Sequence, residues 1–409
     1  MNHRMPLLIF LTLQLISPAP ARPAEEQTPV APVIESPAPA SSVNGQYQPT
    51  QSADDDRDPV VRLGELRGAV RTFPDNADSR LNLAGGLYRV GDFDAAIEEC
   101  RVAIRLNPNN PRAHVQLGIS LAAKQDWRAA ASVLSEAARL DPGSVQAHYS
   151  LAGVQYSLGN VKGAILSYRQ AITLQPYFPD ARYRLALLLK LTHRDQEAAQ
   201  LMEEAALGGV PNAQFFLGNA YRNGQGVDKH LGEAIFWWTR AAEFGHQPAA
   251  DALSKLRRQA LSSDRSDRRR QEALEGFQAY RDKLWNEFPD YARTDGDNTL
   301  GARLVKEHRS DHALAILLKE GYALSEAAQA ELATLYETGW EPQLAPFDRT
   351  ILVCFETTGA EGFLPAKKIL ARIYAKGLGV PADPRKAKAA LNGLSKQEAK
   401  VLLDELELP

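Results

Sequence analysis

Three consecutive blocks of the chain, 77–110, 111–144 and 145–178, align without a gap, each 34 residues after the last. The seventh position holds Leu83, Leu117 and Leu151, and the eighth holds the small residues Ala84, Gly118 and Ala152. Alanine fills the twentieth position (Ala96, Ala130, Ala164) and the twenty-seventh (Ala103, Ala137, Ala171). Proline fills the thirty-second (Pro108, Pro142, Pro176). A period of this length restricts the chain to stacked supersecondary units. Small residues let two antiparallel helices approach closely, and the proline stops the second helix. Apolar residues at helical spacing form a stripe that one unit cannot bury alone, so units must stack. The spacing predicts an all-α solenoid of antiparallel helix hairpins.

A fourth block, 179–212, keeps Leu185, Ala186, Ala198 and Ala205 and moves its proline to Pro211. Upstream, VVRLGELRGAVRTFPDNAD (60–78) reads as the second helix of a leading half-unit. Over 59–212 these positions resemble the tetratricopeptide repeat. That resemblance implies a right-handed superhelix whose first helices line a concave face.

RNGQGV (222–227) poses a separate question, because glycine-rich turns can cradle phosphate. The turn recurs as AKGLGV (375–380), and neither copy has the lysine and hydroxyl residue of a phosphate loop. Recurrence between helices is the mark of a structural corner, with glycines at positive φ. Around the first copy, Leu217, Gly218, Tyr221, Gly224, Gly226, Val227, Ala234, Trp237, Ala241, Ala242 and Gly245 resemble the Sel1-like repeat. A degenerate third copy (325–362) keeps Leu332, Tyr336, Gly339 and Gly362. The resemblance implies a close relative of the tetratricopeptide unit with a longer turn. The expected organisation is therefore a 59–212 tetratricopeptide array, a 213–256 Sel1-like repeat, a 257–320 charged helical insertion, 321–394 degenerate Sel1-like repeats and a 395–409 capping helix. The insertion carries Arg257, Arg258, Arg265, Arg268, Arg269 and Arg270 among acids, which reads as a solvated helix face, with a docking patch for an acidic partner as the functional alternative. The final helix has a capping box, Ser395 and Glu398.

The N-terminus adds a location. Arg4, the apolar run 6–16 and Ala19-Pro20-Ala21 read as a signal peptide over 1–21, since the run is too short to span a bilayer. Residues 22–58, rich in Pro, Ala, Ser and acids, read as a disordered linker. The expectation is export to the periplasm, with secretion as the alternative. A net charge of −3 gives no general attraction to nucleic acid. Two cysteines, Cys100 and Cys354, make no disulfide framework. Cys100 takes the register position of Leu134, Tyr168 and Met202, so it reads as a packing residue.

No catalytic constellation, cofactor motif or zinc signature stands in the sequence. His308 and His312 have the i, i+4 spacing of a metal pair but lack an evident third ligand. His114 and His148 share the fourth repeat position and read as structural. On the resemblance, the concave face would present Tyr88, Arg89, Arg112, Val115, Ile119, Gln146, Tyr149, Tyr156, Tyr183 and Lys190. Tyrosine and arginine carry much of the energy at interfaces. Leu81 and Gly85 stand where the carboxylate-clamp subfamily needs Lys and Asn, so that specificity is not expected. The reading is a non-enzymatic periplasmic scaffold that binds protein partners of the cell envelope. Its alternatives are a component of an envelope polysaccharide export machine and, further off, a metal-dependent helical enzyme.

Overall fold

The computed structural model describes residues 59–264, 266–288, 299–307, 310–340 and 344–407. The expected signal peptide and linker lie outside the described residues, as does His308.

A single helix, α1 (Pro59–Thr72), precedes four hairpins. These are α2 (Ala77–Arg89) with α3 (Phe93–Leu106), α4 (Pro111–Ala123) with α5 (Trp127–Leu140), α6 (Val145–Ser157) with α7 (Val161–Leu174), and α8 (Pro179–Leu191) with α9 (Asp195–Leu207). A fifth, α10 (Pro211–Asn223) with α11 (Leu231–Glu243), carries the RNGQGV turn. Then come α12 (Gln247–Ala260), α13 (Arg268–Asn286), α14 (Leu300–Lys306), α15 (Ser310–Tyr322), α16 (Glu326–Thr338), α17 (Arg349–Glu361), α18 (Leu364–Lys376), α19 (Pro384–Ala390) and α20 (Lys396–Glu405). Among the described residues the only β-type pairing is one bridge, Trp340 with Leu344.

Local chemistry sets the helix ends. Asn76, Asn110 and Ser144 cap the first helices of three units, and Asp92, Asp126 and Asn160 cap the second. Each side-chain oxygen accepts from a backbone N–H that has no intrahelical partner. The turn before each second helix needs one left-handed residue, supplied by Gly91, Gln125, Gly159 and His193. Ala84, Ala96, Ala103, Ala130, Ala137, Ala152, Ala164 and Ala171 are all fully buried, as close helix contact requires. A side chain at Gly118 would run into Leu134. Cys100, Leu134, Tyr168 and Met202 are buried at their shared position.

A second device recurs between units. Arg80 Nε donates to Pro74 O at 3.0 Å, His114 Nε2 lies 2.9 Å from Pro108 O, and His148 Nε2 lies 3.0 Å from Pro142 O. The fourth position thus ties α2, α4 and α6 to the proline turn before each, the structural role expected for both histidines.

The stack runs on through the stretch expected to be a solvated insertion. One face of α13 is buried (Ala273, Gly276, Phe277, Tyr280, Leu284), and it packs along α11, where Gly232 meets Ala279. Arg258, Arg268 and Arg269 are exposed as expected. Arg257 is a correction: it is buried, and its guanidinium holds Glu361 of α17 through two hydrogen bonds, Nη2 to Oε1 at 2.9 Å. An arginine with a buried carboxylate partner is not a solvated one, and the sequence separation of 104 hides the pairing. At the C-terminus, α20 carries the full capping box and an ion pair from Glu398 to Lys368 of α18 at 3.2 Å. None of its residues is buried, so it lies on the stack without sealing a core.

Candidate functional site

The second helices pack on the first helices either side of them, whereas α2 also packs on α4 and α4 on α6. From α2 to α6 the first helices touch one another, Arg184 of α8 reaches Tyr149 of α6, and Tyr183 of α8 meets Phe216 of α10; the outward side chains of this first-helix wall are the candidate surface.

Placement of the expected residues divides them. Arg89 and Arg112 are exposed; Tyr88, Ile119, Gln146, Tyr156, Tyr183 and Lys190 are half-buried and reach the surface. Gln146 donates to Ser150 at 3.1 Å, and Tyr88 packs on Phe93 with ring centroids 5.4 Å apart. Val115 and Tyr149 are corrections. Val115 is buried with Ala137 and Ala147 and offers a partner almost no surface. Tyr149 is 9% exposed, because Phe178 lies against its ring at 4.9 Å and Tyr168 at 5.6 Å. Arg184 Nε donates to its hydroxyl at 2.8 Å. Burial raises the pKa of the Tyr149 phenol, with Arg184 pulling the other way. Burial also raises Asp180, again against the pull of Arg184. This cluster is a strut between the third and fourth units.

The surface cluster lies one unit further on. Tyr183 and Phe216 have ring centroids 6.1 Å apart. Lys190 Nζ stands 5.9 Å above the Phe216 ring and donates to Gln225 Oε1 at 3.3 Å. Gln225 is the residue between the two glycines of RNGQGV. Gly224 ends α10 at φ 69°, and Gly226 follows at φ 74° with its backbone against Asp195 and Ala199 of α9, where a side chain has no room. Gly377 and Gly379 repeat this at φ 68° and 67°. Each turn closes on a tyrosine carbonyl: His230 N donates to Tyr221 O at 2.9 Å, and Asp383 N to Tyr374 O at 2.8 Å. In the middle copy Phe347 N reaches Tyr336 O at 2.7 Å around a longer loop. The turn is a corner whose polar tip joins the groove.

Phe216 and Gln225 were missed in the sequence, as was a buried glutamine shared by two units. Gln214 Nε2 donates to Ala206 O at 3.1 Å, and Gln329 Nε2 to Gly321 O at 3.2 Å, each to a carbonyl eight residues back at the end of the preceding helix. Its signal was a polar residue repeated at the fourth position of α10 and α16.

Neither thiol is bridged, and burial pushes both Cys100 and Cys354 up to about 12. Among the described residues no three His, Cys, Asp or Glu side chains gather as a metal site, and His312 stands exposed near Phe288. No helix among them is long and apolar enough to cross a membrane.

Comparison with known families matches the tetratricopeptide repeat at residues 63–111 and 115–179, and the Sel1 repeat at 211–246 and 366–389. The chain carries tetratricopeptide and Sel1 repeats. DAP3-binding cell death enhancer 1 of Rattus norvegicus and of Mus musculus are each 37% identical to this repeat protein over 71 residues, 17% of the chain. The chain spans 14% of the length of these relatives. Among solved structures, MamA aligns at 25% identity and a TM-score of 0.36, covering 41% of this chain and 97% of its own. A Sel1 repeat protein from Oxalobacter formigenes aligns at 22% and 0.34, covering 88% and 98%.

Proposed function

We propose that this repeat protein is a non-enzymatic scaffold of the cell envelope that grips protein partners along its first-helix wall. Repeats of both families form protein-interaction scaffolds. The observation that carries the proposal is the cluster of Tyr183, Lys190, Phe216 and Gln225, where aromatic faces and a cation lie together on that wall across the junction of the two repeat types. Half-buried aromatics beside a cation are the groups that supply binding energy at interfaces. Such a wall suits an extended segment or an amphipathic helix. The envelope location rests on the signal-peptide reading of 1–21.

The binding reading is tested by affinity capture from envelope extracts with the wild-type chain and with Tyr183→Ala/Phe216→Ala. A set of partners retained by the wild type and lost with a folded double variant supports it. An identical set from both discards the wall as the binding surface. Location is tested separately: periplasmic protein beginning at Arg22 is the expected product, and uncleaved cytoplasmic protein discards export.

A further inference from the structure

Helices α11, α12, α13, α15 and α17 leave a half-open cleft of about 470 Å³ between them. Small-molecule sites are typically about 300–1,000 Å³. The floor is apolar, formed by Ile235, Leu253 and Phe277, all buried. The walls carry Ala242, Ala250, Ala315 and Ala323. Elsewhere in the stack an alanine is where two helices touch, as at Ala130 and Ala164. Here the same residue type borders open volume that larger aliphatic side chains would fill.

The polar groups around the cleft fix the chemistry of its occupant. Glu243 of α11 and Lys319 of α15 pair at 3.1 Å and, being partly exposed, mark the open side. Arg257 is held by Glu361 and lies over the Tyr322 ring at 5.7 Å. Burial raises the phenols of Tyr280 and Tyr322, and Thr239, facing the first hydroxyl, and Thr357, facing the second, each draw them down. Each charged side chain lining the cleft is already matched. An ionic ligand would have to break one of these pairs and leave a charge stranded against apolar walls. An uncharged apolar ligand displaces only water from alanine and leucine surface, which favours binding.

We infer that this cleft is a binding site for an uncharged apolar small molecule. The site is independent of the first-helix wall and of the scaffold reading. The probe for it is Nile red, a neutral apolar dye, titrated into the full chain. The expected result is saturable fluorescence enhancement at one site per chain. Ala250→Leu and Ala315→Leu should each weaken binding at least tenfold, while Tyr183→Ala/Phe216→Ala leaves it unchanged. Unsaturable binding, or equal binding by folded filled variants, overturns the assignment. Should the filled variants fail to fold, hydrogen exchange of the unmodified chain with saturating dye gives the answer. Slowing confined to α11, α12, α13, α15 and α17 supports the site; slowing elsewhere, or none, overturns it.

Discussion

The turn before each second helix is where single residues decide most visibly between local strain and repeat geometry. Gly91 and Gly159 adopt φ 82° and 77° in open surroundings, so glycine is needed there for its backbone alone. Gln125 and His193 hold the same turn at φ 63° and 59°, with a Cβ that disfavours this region. Gln125→Gly removes that strain, and thermal unfolding should show a gain of about 0.5–1 kcal/mol, while Gly91→Ala should lose a similar amount. A loss with Gln125→Gly would mean that its side chain makes a contact worth more than the strain. The two thiols give a pH dependence. Their folded pKa of about 12 lies above the ordinary value of 9.0. Between those values the unfolded state has lost protons that the folded state keeps, so stability falls as pH rises from 9 to 12, by up to about 1.4 kcal/mol per pH unit for each thiol. Below pH 9 the contribution is complete. Urea titrations at pH 8 and 10 should show the decline, and Cys100→Ala/Cys354→Ala should shrink it; an equal decline in both proteins assigns it to the buried tyrosines.

Within the helical hairpins, packing leaves little tolerance. Ala130 and Ala164 are fully buried where two helices meet. Replacing either with Leu forces the pair apart and should cost about 1–3 kcal/mol in thermal or urea unfolding. Unchanged stability would show that the helix pair can part without loss. The periodic elements were legible because every unit repeats the same contacts, so size and spacing at five positions carried the hairpins, their turns and the buried Cys100. The candidate wall was legible only as a set of positions. Register places Tyr149 on it, but Phe178, at the start of α8, stands where α2, α4 and α6 have a polar cap, and it folds over the tyrosine. No pattern of residue type announces that exchange. Phe216 and Gln225 were hidden for another reason: they join the wall across a boundary between two repeat families, where the register of one gives no position in the other. The 257–320 stretch has no repeat to read, since its buried contacts are with α11 and α17, and its many arginines masked the apolar face of α13.

For the molecule as a whole, a solenoid whose units touch only neighbours should unfold in local segments, with stability summed from units and interfaces. The Arg257–Glu361 pair breaks that pattern by joining α12 to α17 across the helices between them. Both side chains are almost fully buried, so removing one leaves the other charge without a partner. Arg257→Ala should therefore cost about 3–5 kcal/mol, more than a surface ion pair of the same geometry. Arg257→Met with Glu361→Leu removes both charges at similar volume and should recover much of that loss. Hydrogen exchange locates the effect. Arg257→Ala should speed exchange in α12 and α17 together, because the pair is their shared restraint, while α2 to α7 keep their protection. Equal loss along the whole chain would show a single cooperative unit and remove the neighbour-only account. Faster exchange in α12 alone would show that α17 is held by α15, α16 and α18 without the arginine. The joint response of α12 and α17 is what a long-range tie requires, and it bears on the alanine-lined cleft as well, since Arg257 and Thr357 both line it.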